Sequence, residues 1–324
     1  MKKMNRIKFF QREKVNYMTN EQFFKNLESP QKNVDVVLDT DAFNEVDDQY
    51  AIVYMLRSTE LNPVAIYAAP FLNGKSESPA DGMEKSYNEI MNILKLAGRP
   101  DMKNKVYRGS RGYLKDENTP VISAAAEDLC KRAMCYTPEN PLYVVAIGAI
   151  TNIASALLLK PEIKENIVVV WLGGNAVGMK NFSEFNMSQD IAAARVVIGS
   201  GVPFVQLPCY GVVSGFAISK PELEYWLLGK NPLTDYLART TVKEAESYAA
   251  GEPWTRVIWD VTAVAWLINK NDHTAFMWYD TRERLIPGYD GKYYKCENAA
   301  PMCYVNVIHR NSLMKDLIKK LLQS

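Results

Sequence analysis

Residues 34–48 read Val34-Asp35-Val36-Val37-Leu38-Asp39-Thr40-Asp41-Ala42-Phe43-Asn44-Glu45-Val46-Asp47-Asp48. The first part, Val34 to Leu38, is a short, mainly apolar run bounded by Asp39, the pattern of a buried strand. The second part, Asp39 to Asp48, places four aspartates and one glutamate in ten residues. A helix is expected directly after it, over Gln49 to Arg57. Ligands of open α/β sheets collect beyond the carboxyl ends of strands, so the acidic loop lies where chemistry is expected. Carboxylates crowded into a dry cleft must take up protons or share a cation. Their hard oxygens suit Ca²⁺ or Mg²⁺. A solvated acidic loop that only caps the next helix is the plainer reading. The apolar strand before the loop and the helix after it favour the cleft.

Strand and helix patterns alternate outward from this loop. Strands are expected at Pro63–Ala69, Val106–Tyr107, Leu142–Ile147, Ile167–Leu172 and Pro203–Leu207. Helices are expected at Met83–Leu96, Val121–Met134, Asn152–Leu159 and Ile191–Ile198. The Val- and Ile-rich runs predict an open, mostly parallel Rossmann-like sheet flanked by helices. Residues 220–269 form a helical cap region in this reading (Glu222–Leu228, Asp235–Tyr248, Asp260–Leu267). Residues 273–308 look β-rich, and a last helix runs from Leu313 to Leu322. Residues 1–32 read as an extension, with a basic start (Met1–Lys14) and a short helix from Asn20 to Leu27 that ends before Pro30 and carries Phe23, Phe24 and Leu27 on one side. Residues 33–324 read as a single domain.

The 324 residues carry 38 Lys+Arg against 37 Asp+Glu, and 48% are hydrophobic. The even charge balance argues against a general nucleic-acid or acidic-membrane binder. No apolar stretch approaches the roughly 18 residues of a membrane span. The five scattered cysteines form no Cys-x-x-Cys pair and predict free thiols in a reducing cytoplasm.

An Asp-x-Asp after a first strand also occurs in haloacid-dehalogenase-like phosphatases, with Asp39 as nucleophile and Asp41 as acid. That pattern continues with a Gly-Thr-like pair, whereas Ala42-Phe43 follows here, and no later lysine and Asp-Asp pair matches. The loop instead resembles the opening motif of the inosine–uridine-type nucleoside hydrolases, D-T-D-P-G-x-D-D, in a divergent Asn-Glu-x-Asp-Asp form. Five residues separate Asp41 from Asp47, where the common form has three. Further segments match in order. Asn73 follows the second strand. Ala146-Ile147-Gly148-Ala149-Ile150-Thr151-Asn152-Ile153-Ala154 resembles T-G-P-L-T-N-I-A, and Trp171-Leu172-Gly173-Gly174 resembles M-G-G. Glu184-Phe185-Asn186 with Asp190-Ile191-Ala192-Ala193 resembles E-F-N…D-P-E-A-A. Trp259-Asp260-Val261 resembles H-D-P.

This resemblance implies calcium-dependent hydrolysis of the N-glycosidic bond of a ribonucleoside or related ribosyl compound. The Ca²⁺ ligands would be Asp41, Asp48, the Ile147 carbonyl and Asp260. Asp41 would be the general base for a metal-bound water. Asp47, Asn73 and Asp260 would hold the ribose 2′ and 3′ hydroxyls, with Glu184 and Asn186 on the 5′ side and Asp39 orienting the loop from behind. Family members often carry a His where this chain has Trp259, which would stack on the base instead. His273 and His309 fall in no motif and read as structural. The added loop residues Asn44 and Glu45 would face the leaving group. A homo-oligomer, dimeric or tetrameric, is also implied. A non-catalytic protein that keeps the ion and binds a ribosyl ligand is the alternative, because the His is missing.

Overall fold

A computed structural model describes residues 17–296 and 299–323. The basic start expected at Met1–Lys14 lies outside the described residues. Twelve strands are present among the described residues: β1 (Val34–Thr40), β2 (Leu61–Ala68), β3 (Val106–Arg108), β4 (Leu142–Ala146), β5 (Ile167–Leu172), β6 (Phe204–Leu207), β7 (Ala217–Ser219), β8 (Thr255–Val257), β9 (Met277–Arg282), β10 (Leu285–Pro287), β11 (Tyr293–Lys295) and β12 (Met302–Ile308). Eight of them form one sheet in the order β3-β2-β1-β4-β5-β6-β12-β9. Neighbours from β3 to β12 run parallel. β9 closes the edge antiparallel to β12.

The expected parallel sheet is therefore present, and its physical cause is visible in burial. β4, β5 and β6 are buried at every position, and β1 at all but Asp35, because helices cover both faces. One core cluster lies on each side of the sheet. Chain order reverses between β1 and β4, and the acidic loop leaves β1 at that switch point.

Helices cover residues 220–226, 232–249 and 261–266, as the cap reading expects, and β7 and β8 add an antiparallel pair that it did not foresee. The C-terminal part holds β9 to β12 and the final helix Arg310–Leu321. The first helix is shorter than its periodicity suggests. It spans Asn20–Lys25, with the Thr19 side chain accepting from the Gln22 amide at its start. Leu27 is buried and Phe23 packs on the core, but Phe24 is exposed. Beyond it, the Ser29 hydroxyl donates to the Trp266 and Asn269 carbonyls, fastening the segment to the helix at Val261–Trp266 and its end.

Candidate active site

The carboxyl ends of β1, β4 and β5 open into a cleft of about 490 Å³. Asp41, Asp47, Asp48 and Asp260 line it, although Asp260 is supplied from the far half of the chain. Asp47 and Asp260 each occupy the position before a helix, over Asp48–Leu56 and Val261–Trp266, yet neither side chain caps it. The carboxylates turn toward one another instead. Asp47, Asp48 and Asp260 each offer an oxygen within 4.8 Å of the others, and all three are buried. The Asp260 amide also donates to Asp47 Oδ2 at 3.4 Å.

Asp41 lines the same cleft outside that trio. Its Oδ2 is buried without a hydrogen-bond partner. Gly148 leaves it room, because a Cβ there would lie 2.9 Å from Asp41 Cγ and Oδ1. The Ile147 carbonyl faces this region and accepts from Asn186 Nδ2 at 3.1 Å. Asp48 accepts from the Thr40 hydroxyl.

Burial raises all of these acids above the ordinary carboxylate range. For Asp41 the charges of Asp48 and Glu45 add to burial. For Asp260 those of Asp47, Asp48 and Asp41 do so. Burial pushes Asp48 up to about 7, against the pull of its bond from Thr40. It pushes Asp47 up to about 8, with Glu45 adding and Arg256 opposing. A crowd of buried hard oxygens, one of them orphaned, is suited to a divalent cation, which would let the carboxylates ionise together. The residues present therefore fit such an ion.

Behind this group, Asp39 is fixed by Asn152, whose Nδ2 donates to Oδ1 at 2.7 Å. Its other oxygen is buried and unpartnered, and burial pushes its pKa up to about 7. Asn152 is itself held by the Ser110 amide at 2.7 Å. On the other wall, Glu184 caps the short helix Phe185–Gln189. Its Oε1 accepts from the Asn186 amide and its Oε2 from the Gly174 and Met187 amides. Burial still pushes it up to about 7. Asn186 spans the Ile147 and Leu172 carbonyls.

The expected residues do not all reach the cleft. Asn73 is absent from its lining, and its Nδ2 donates to Asn44 Oδ1 at 2.6 Å. Asn44, one of the added loop residues, lines the cleft in front of it. Glu45 also lines it, with its carboxylate paired to Arg256. Arg256, on β8, was not legible as a site residue. Its guanidinium also lies 3.3 Å from Glu244 and 3.8 Å from Asp47. Lys75 bonds Glu244 at 3.0 Å and the Asn44 carbonyl at 2.7 Å. This chain of charges ties the enlarged loop to the helix Pro232–Ala249. At the mouth, Trp259 and Tyr210 meet edge to face with ring centroids 5.2 Å apart. Neither histidine lines the cleft: His273 is exposed, and His309 Nδ1 lies 2.9 Å from the Ala275 carbonyl.

Residues 36–309 match the model of the inosine-uridine preferring nucleoside hydrolase family. The chain belongs to this family. A curated relative, the pyrimidine-specific ribonucleoside hydrolase RihA of Escherichia coli O81 (strain ED1a), is 27% identical over 258 residues, which cover 72% of this chain and 79% of that one. Two nucleoside hydrolase structures share the fold with a TM-score of 0.70. The plant enzyme PpNRh1 is 18% identical and is covered in full, against 90% of this chain. The purine-preferring ribonucleoside hydrolase from Gardnerella vaginalis is 20% identical, covering 89% of this chain and 98% of that one. Family membership over the acidic loop removes the phosphatase alternative. No helix among the described residues is long and apolar enough to cross a membrane.

Proposed function

We propose that this nucleoside hydrolase cleaves the N-glycosidic bond of ribosyl substrates with the help of one Ca²⁺, and that Asp41 is its general base. The observation that carries the reading is the meeting of Asp47, Asp48 and Asp260, drawn from opposite halves of the chain, beside the orphaned oxygen of Asp41. Asp48, Asp260, Asp41 and the Ile147 carbonyl would hold the cation. When bound, the cation supplies positive charge that fixes the sugar hydroxyls and acidifies water.

The chain's own residues account for the remaining steps. Asp41 takes the proton of the attacking water. The negative carboxylates stabilise the ribosyl oxocarbenium character of the transition state. Asp47 and Asp260 accept from the ribose 2′ and 3′ hydroxyls. Glu184, held by three backbone amides, and Asn186 set the 5′ end. Asn73 acts through Asn44, whose amide it holds. Trp259 offers a face or edge to the leaving heterocycle.

The test is release of p-nitrophenol from p-nitrophenyl riboside, with EDTA and with added calcium. Cleavage that stops in EDTA, returns with calcium and is lost in Asp41→Asn supports the reading. Tight ribose-ligand binding with no cleavage under any condition would instead support a binding protein.

A further inference from the structure

The cleft is unevenly equipped for its leaving group. Six of its lining side chains are carboxylates (Asp41, Glu45, Asp47, Asp48, Glu184 and Asp260), and none is a lysine, arginine or histidine. Only one cleft carboxylate, Glu45, stands outside the ion and sugar groups. Glu184 receives backbone N–H groups on both oxygens. Glu45 is held by Arg256, which stands behind it and does not line the cleft. The aromatic wall is Trp259 and Tyr210, with Tyr210 about half exposed. A negatively lined cleft with an aromatic wall favours a cationic ring.

The chemistry points the same way. A neutral nucleobase departs readily only if an acid protonates it, which contributes about 10²–10⁴-fold in rate. A heterocycle already cationic at its glycosidic nitrogen departs as a neutral molecule and needs no acid. We propose that this site prefers cationic N-ribosides, such as N-ribosylpyridinium compounds, over neutral nucleosides. The proposal rests on the hydrolase reading above and names its substrate class. In the step, the water oxygen bonds to C1′ of the ribose. The C1′–N bond breaks, and its electron pair passes to the ring nitrogen and cancels the ring's charge. Asp41 takes one proton from the water and later returns it to solvent. Ribose and the neutral heterocycle are the products.

The test compares N-ribosylnicotinamide with inosine and uridine, each turnover divided by the spontaneous hydrolysis rate of the same compound. This division removes the intrinsic lability of the cation. With p-nitrophenyl riboside as the control that needs no acid, the calcium-loaded protein should give N-ribosylnicotinamide the larger enhancement, by about 10²-fold. A margin below about tenfold, or a larger enhancement for inosine or uridine, overturns the proposal, because the site then supplies an acid. Failure to cleave p-nitrophenyl riboside itself would sink the hydrolase reading, a separate and recognisable outcome.

Discussion

Asp48→Asn should make the metal-free protein more stable at neutral to alkaline pH while removing its response to calcium. Asp48 is almost fully buried, and its carboxyl titrates near 7 in the folded state, against the ordinary 3.8. The folded state therefore holds the proton more tightly than the unfolded chain. Stability is fully present below about pH 4 and is lost as pH rises through about 7. A shift of roughly three units at about 1.36 kcal/mol each amounts to about 4 kcal/mol, and less where neighbouring acids share the proton. Asparagine keeps an oxygen for the Thr40 hydroxyl and carries no charge to bury. For a chain of 324 residues the unfolding entropy is about 0.7 kcal/mol/K, so the variant should melt up to about 6 °C above the parent in EDTA at pH 8. The two should converge below about pH 4. Calcium at a hundred times its Kd should raise the parent by about 2.7 kcal/mol, or about 4 °C, and leave the variant unchanged. Differential scanning calorimetry in EDTA and in calcium at both pH values reads all four quantities. A variant less stable than the parent in EDTA at pH 8, and still stabilised by calcium, would refute the shared-cation account of the trio.

Three further outcomes follow from the same geometry. Arg256→Met removes the cation between Glu45, Asp47 and Glu244, and should cost about 2 kcal/mol in urea unfolding without calcium at pH 8, because Glu45 is partly solvated. Gly148→Ala drives a methyl group to 2.9 Å from the Asp41 carboxyl and should lower kcat about 10²-fold, with the circular dichroism spectrum retained. Trp259→Ala should raise KM for aromatic ribosides about tenfold with little change in kcat, as expected when one stacking surface is lost.

The sheet was legible because its signal is local. Val36 to Leu38 and Ile167 to Leu172 are buried on both faces, and such burial demands apolar runs that a sequence cannot disguise. The acidic loop was legible for a related reason: carboxylates are too costly to bury without a purpose. Asp260 was harder. By itself it is an acid before a helix, and only the family pattern set it apart; the structure adds that its side chain does not cap that helix. Arg256 left no mark, because its role depends on Glu45, 211 positions away in the chain. Asn73 follows the second strand as expected, and what its position in the sequence did not reveal is its partner, the Asn44 side chain of the longer loop, which lines the cleft. Phe24 was misjudged because a helix of six residues is too short for its periodicity to fix a face.

The added loop residues and the charges of the cap are best understood together. Lengthening the segment between Asp41 and Asp47 brings Glu45 into an already acidic cleft, and an unpaired carboxylate there would raise its neighbours further. Arg256 answers that charge from β8, Glu244 holds Arg256 from the cap helix, and Lys75 joins Glu244 to the Asn44 carbonyl. Each partner neutralises the one before it, so the loop is fixed at both added residues without placing a cation in the cleft itself. The consequence is chemical as well as structural. The contacts that make the longer loop tolerable engage the Glu45 carboxylate with Arg256, while no lysine, arginine or histidine among the described residues lines the leaving-group side of the cleft.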